Sequence, residues 1–198
     1  MTRSLPLHLT LLVGLLAALT ACGGADSDAD GASSAIPTHD AFMANLSAQC
    51  GSAFAGAAVQ VPEGDQLFTD NPPLAAHFWE CSPDQVKIPF HVGENRSRTW
   101  ILTRSSEGID LRHDHRHEDG TPEANTMYGA HTMGQGTATR QDFLILGEDG
   151  STQGGWAIEI VPGESYIYGT VRGGEWRYRL DFDLSSQVPV PPLPWGQG

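Results

Sequence analysis

Between residues 54 and 184 the apolar positions of this chain recur at every second residue, not every third or fourth. Val86, Ile88, Phe90 and Val92 alternate with polar or small residues, and Trp176, Tyr178, Leu180, Phe182 and Leu184 alternate with Arg177, Arg179, Asp181 and Asp183. Successive strand side chains point to opposite faces, so this spacing describes antiparallel strands with one buried and one solvated face. The same reading predicts strands over 54–61, 74–80, 97–104, 109–116, 126–132, 137–145, 155–161 and 165–172. Tight-turn sequences separate them, among them Ser105-Ser106-Glu107-Gly108, Glu148-Asp149-Gly150, Pro162-Gly163-Glu164 and Arg172-Gly173-Gly174. The period changes once: Phe42, Met43 and Leu46 follow helical spacing within 39–49, and Thr38 or Asp40 is placed to cap the helix. About ten strands with short connections pair consecutively as a meander, and a sheet of that width curls or closes. The expected fold is therefore all-β, an antiparallel up-and-down barrel or strongly bent sheet with the early helix over one end; a two-sheet sandwich is the alternative.

Both ends of the chain depart from this pattern. Over 188–195, Pro189, Pro191, Pro192 and Pro194 cannot donate ladder bonds, so the tail is expected to run extended over the surface, pinned by Trp195. A proline-rich recognition ligand is the sharper alternative. At the other end Arg3 precedes an apolar run over 9–19 that closes in Leu19-Thr20-Ala21-Cys22-Gly23. The run is too short for a membrane-spanning helix, which needs about 20 apolar residues. It resembles a bacterial lipoprotein signal peptide with its lipobox. The resemblance implies cleavage before Cys22, lipidation of that cysteine and, with Gly rather than Asp at position 23, an outer-membrane address facing the periplasm. A plain secretory signal cleaved near Ala21 is the simpler alternative. The chain then divides into a signal peptide over 1–21, a tether of small and acidic residues over 22–37, and a single β domain over 38–198.

Charge narrows the partners. Eleven basic residues stand against 24 acidic ones, a net charge of -13, and loss of Arg3 with the signal leaves 10 against 24. Nucleic acid is excluded as a partner, and an anionic lipid surface repels such a body, so the membrane is reached through the lipid anchor. Of three cysteines, Cys22 goes to the lipid; Cys50 and Cys81 remain as a pair in an oxidising compartment, without the CxxC spacing of a redox or metal site. A Cys50–Cys81 disulfide is expected, closing a loop of about 30 residues.

Candidate chemistry centres on Leu111-Arg112-His113-Asp114-His115-Arg116-His117. On a strand, Ile109, Leu111, His113, His115 and His117 share the inward face, while Asp110, Arg112, Asp114 and Arg116 form a charged outer one. Two same-face histidines lie about 7 Å apart and can share a divalent ion; three along a straight strand cannot. Zinc or copper would take His113 and His115, or His117, with a further ligand such as His131, His91 or Asp119. The alternative is a polar lining. Acid–base catalysis is the third reading, with Asp114, Glu118 or Asp119 orienting an imidazole. It lacks a nucleophile: there is no Gly-x-Ser-x-Gly elbow, no free body cysteine and no cationic neighbour activating Lys87, and no phosphate loop precedes a helix. Arg96 and Arg98 share a face at a strand start, where they either bind an anion or pair with Glu94 or Asp110. Tyr128, Tyr166, Tyr168, Trp156 and Trp176 line either a cavity or a filled core.

The segments Ile88-Pro89-Phe90-His91-Val92-Gly93, Ser97-Arg98-Thr99-Trp100, His113-Asp114-His115-Arg116-His117-Glu118-Asp119-Gly120, Tyr128-Gly129 and Pro192-Leu193-Pro194-Trp195-Gly196 resemble a family of uncharacterised proteobacterial secreted proteins and lipoproteins over roughly residues 48–196. The resemblance implies export and one domain, and it transfers no catalytic residues. The sequence thus leads to a lipid-anchored envelope protein acting as a non-catalytic binding or structural module, with a small ligand or an envelope protein as partner. A periplasmic zinc- or copper-binding protein is the alternative, and an apolar-ligand carrier a third class.

Overall fold

The structure is a computed structural model and describes residues 38–197; the expected signal peptide over 1–21, the expected tether over 22–37 and the lipidation expected at Cys22 lie outside the described residues. Helix α1 (Thr38–Ser47) forms where the helical spacing places it and buries Phe42, Met43 and Leu46 on one side. The strands that follow are β1 (Ala53–Gln60), β2 (Leu74–His77), β3 (Glu80–Cys81), β4 (Gln85–Val92), β5 (Asn95–Ser105), β6 (Gly108–His115), β7 (Tyr128–His131), β8 (Arg140–Leu146), β9 (Thr152–Val161), β10 (Ser165–Arg172) and β11 (Glu175–Val188). They pair in the order β7-β6-β5-β4-β2-β1-β11-β10-β9-β8, with β3 a side flap on β4. Every pairing is antiparallel. The first strand pairs with the last, Ala53 opposite Val188 and Ala58 opposite Leu180. The remaining seam, between β7 and β8, is bridged where Thr132 faces Phe143 and the Met133 amide donates to the Asp142 carbonyl at 3.0 Å. The result is a nearly closed ten-strand barrel, which hides all but a short stretch of sheet edge.

The inward residues of each strand fill the barrel: Val86, Ile88 and Phe90 from β4, Trp100 and Leu102 from β5, Ile109 and Leu111 from β6, Ile158 and Ile160 from β9, Leu180, Phe182 and Leu184 from β11. At one end α1 is seated by Asn45, which donates to the Ala138 carbonyl at 2.8 Å, and by Asp40, which accepts from Arg104 at 2.6 Å. Just beyond it Cys50 is bonded to Cys81, with S–S 2.09 Å and Cα–Cα 6.1 Å, tying the helix end to β3. The outer face carries same-strand ion pairs two residues apart, Arg112 with Asp110 at 2.8 Å and Arg179 with Asp181 at 2.7 Å.

The proline-rich tail runs across the outside of the sheet. Arg96 donates to the Leu193 carbonyl at 3.1 Å, and the Trp195 amide donates back to the Arg96 carbonyl at 3.3 Å. Pro191 and Pro192 line one surface cleft together with His91. Both His77 and His91, on the outer faces of β2 and β4, are buried, although outward residues of such a sheet are ordinarily solvated.

Candidate functional site

The end of the barrel away from α1 is not filled. A cavity of about 200 Å³ lies there among inward side chains of β4, β5, β6, β9, β10 and β11, with Tyr128 of β7 at its edge. The β1–β2 connection, over 61–73, folds across it with Leu67 and Phe68. Asp65 fixes that loop: one carboxylate oxygen accepts the Leu67 and Phe68 amides at 2.9 and 3.0 Å, and the other accepts the Tyr178 hydroxyl at 2.8 Å. These bonds to the anion hold the carboxyl below its ordinary pKa range against the opposing effect of burial.

The wall is aromatic. Trp100 stacks between Phe90, centroids 4.7 Å apart, and Tyr168 at 4.0 Å. His113 stacks flat on Tyr128 at 4.8 Å and 9° and meets Trp156 at 4.9 Å. Tyr128 is brought this close by Gly129, where a Cβ would stand 1.7 Å from the Leu111 carbonyl oxygen of the neighbouring strand. A side chain there would push β7 off β6.

His113 is 3% exposed and both ring nitrogens are engaged. Nδ1 lies 3.1 Å from the Tyr128 carbonyl, which can only accept, so Nδ1 carries the proton. Nε2 is then the acceptor for the Tyr168 hydroxyl at 2.5 Å. Burial pushes the His113 pKa down to about 4. His115, nearer the rim, has Nε2 3.1 Å from the Tyr128 hydroxyl and Nδ1 3.7 Å from the Glu123 carboxylate. Its pKa is also lowered, first by burial and then by Arg98, with Glu123 opposing. Burial raises the Tyr168 hydroxyl well above its ordinary value.

The five histidines considered as metal ligands are not brought together, and His91 lies on the outer face of β4. His113 and His115 face the cavity; β6 ends at His115, so His117 sits exposed in the turn that follows, its amide bonded to the Thr121 carbonyl. His131 is exposed on the outer side, its Nε2 3.4 Å from Asp110. Among the described residues no group of three His, Cys, Asp or Glu side chains is arranged to hold a metal ion.

Arg96 and Arg98 also part company, and neither pairs with Glu94 or Asp110, which is taken by Arg112 and His131. Phe90 faces Arg98 and Val92 faces Asn95, so β5 carries an extra residue here. This bulge breaks the alternation. Arg96 turns out to the tail, whereas Arg98 lines the cavity. Of the five aromatics weighed as cavity lining, Tyr128, Tyr168 and Trp156 line it; Tyr166 is core, and Trp176 lies outside beneath Arg140 and Arg179. Sequence reasoning missed the loop residues Asp65, Leu67 and Phe68, whose only signal was two apolar residues in an otherwise polar turn-rich stretch.

No protein-family model, no curated protein and no solved structure matches this chain. No helix among the described residues is long and apolar enough to cross a membrane.

Proposed function

We propose that this chain is an exported envelope protein, lipid-anchored at Cys22, whose barrel mouth is a non-catalytic binding site for a small, largely apolar ligand. The observation that carries the reading is the aromatic-walled cavity of about 200 Å³ at the end of an otherwise filled barrel. Drug-sized ligands occupy about 300–1,000 Å³, whereas an engineered protein cavity of about 150 Å³ holds benzene, so one ring is the scale that fits. A binding role is favoured over catalysis because both His113 nitrogens are spent on Tyr128 and Tyr168, and the Tyr168 hydroxyl is pushed away from ionisation. Export rests on the resemblance of Leu19-Thr20-Ala21-Cys22 to a lipobox.

Two measurements test this. Labelling of the expressed chain with radioactive palmitate is expected for the wild type and absent for Cys22→Ser; equal labelling of both overturns the anchor. Titration of the purified full-length protein with toluene is expected to quench tryptophan fluorescence saturably, since Trp100 and Trp156 line the cavity. No saturable change overturns the ligand site. Tag-free protein that retains equimolar zinc or copper, and loses it in the His113→Ala/His115→Ala double variant, would replace the apolar-ligand reading with the metal one.

A further inference from the structure

Five of the nine arginines among the described residues stand beside a carboxylate. Arg104 pairs with Asp40 at 2.6 Å, Arg112 with Asp110 at 2.8 Å, Arg116 with Asp114 at 3.0 Å, Arg140 with Asp142 at 2.8 Å and Arg179 with Asp181 at 2.7 Å. Arg96, Arg172 and Arg177 form no ion pair among the described residues, although acidic residues outnumber basic ones 24 to 11 in the chain. Arg98 is the one arginine among the residues lining the cavity. It forms no ion pair among the described residues. Its Nη1 donates instead to the Asn95 side-chain carbonyl at 3.3 Å and to the Ser97 hydroxyl at 2.9 Å. Both acceptors are neutral: they aim the guanidinium without cancelling its charge, and they leave the Nε and Nη2 hydrogens unpartnered among the described residues.

The one carboxylate lining the same cavity is Asp65, and it is already consumed by two loop amides and the Tyr178 hydroxyl. A positive charge with no ion-pair partner therefore borders a space whose other walls are aromatic or apolar, apart from the hydrogen-bonded Asp65 carboxylate, Thr170 and the two histidines. A guanidinium edge matches a planar carboxylate with two parallel N–H···O bonds, better than it matches a neutral group. The volume admits about one ring. Flat aromatic walls favour a flat ligand.

We infer that the barrel mouth takes a monocyclic aromatic carboxylate, its ring among the aromatic side chains and its carboxylate on Arg98. The inference rests on the reading of the mouth as a ligand site, and it adds the charge and the class of what binds.

Calorimetric titration of the purified full-length protein with benzoate, benzamide, phenylphosphonate and toluene tests it. Benzoate is expected to bind at least about tenfold more tightly than benzamide, a difference of about 1.4 kcal/mol, and more tightly than phenylphosphonate. In Arg98→Met the benzoate-to-benzamide ratio is expected to collapse towards one, and in Arg98→Lys to recover in part, with thermal unfolding confirming that both variants fold. Equal affinity of the wild type for benzoate and benzamide overturns the carboxylate assignment while leaving a ligand site, and needs no variant. Tighter binding of phenylphosphonate overturns it in favour of a tetrahedral anion. Absence of binding by all four compounds overturns the site itself.

Discussion

The two ends of the barrel are built from the same strands and differ in what those strands carry. Towards α1 the inward residues are Val86, Leu102, Ile109, Ile158 and Ile160, closed over by Phe42 and Leu46. Towards the mouth they are Trp100, His113, Trp156, Tyr168 and Tyr178, roofed by the 61–73 loop. Branched aliphatic side chains interdigitate to crystal-like density. Large flat rings that also satisfy polar tips pack on edges and faces, and here they leave a gap of about 200 Å³. One end of the molecule is thus specialised for stability and the other for an unfilled, chemically varied surface.

Truncation at the closed end is the strongest way to break this contrast. Phe42 is fully buried, and Phe42→Ala is expected to cost about 3–5 kcal/mol, read from urea unfolding monitored by circular dichroism. Trp156→Ala removes a larger side chain from a half-buried wall beside existing space, and is expected to cost less. A greater loss at Trp156 would show that the mouth, not the helix end, carries the fold. Next in size is the disulfide beside α1. Cys50→Ser/Cys81→Ser is expected to lower stability by about 3–4 kcal/mol through the freed loop, measured the same way against the oxidised parent.

The contrast also decides what could be read in advance. Period-two alternation located the strands to within a few residues, and the pairing of neighbours followed from short connections, because both depend on local rules. The predicted 74–80 strand proved to be two pieces, β2 and β3, because the regular ladder ends at His77: the Phe78 amide bonds to the Ser52 carbonyl, the Trp79 amide to the Lys87 carbonyl, and β3 then joins the side of β4. The histidine face was legible as far as His115. What escaped was whatever depends on a tertiary event: the β5 bulge that separates Arg96 from Arg98, the loop that reaches across the mouth on an aspartate cap, and the burial of His91 on a face expected to be wet. No periodicity encodes a bulge or a loop's destination, so the scaffold of the site and a candidate anion-binding arginine could be foreseen, but not that Arg98 alone would face the cavity.

Acid sharpens the comparison at the mouth. Folded, His113 takes up a proton only near pH 4; its ordinary value is 6.5, so between the two the unfolded chain binds more protons. Stability from this group is present in full above about pH 6.5 and is lost as pH falls towards 4, by about 3 kcal/mol in all. His113→Phe is expected to flatten that part of the pH–stability curve. At pH 7 it should cost about 1–3 kcal/mol, because the buried Tyr168 hydroxyl loses its acceptor. An unchanged acid slope in the variant would place the sensitivity elsewhere.

The smallest effect is expected outside the barrel, at a histidine equally buried but differently employed. His91 also has its pKa pushed down to about 4, first by burial and then by repulsion from His77 in its protonated form and from Arg96. Unlike His113 it has a ring nitrogen, Nε2, buried with no hydrogen-bond partner among the described residues. A lone unsatisfied atom costs free energy, and replacing it with an apolar group of similar size removes that cost. His91→Leu is therefore expected to change stability at pH 7 by no more than about 1 kcal/mol, in either direction, where His113→Phe loses more. Between pH 6.5 and 4 the Leu variant should be more acid-resistant than wild type, since its unfolded chain has no imidazole at position 91 to take up the proton that folded His91 refuses. A loss at pH 7 as large as that of His113→Phe would mean that the outer histidine holds the tail by a contact of its own, and that the two faces of the sheet are equally dependent on their imidazoles.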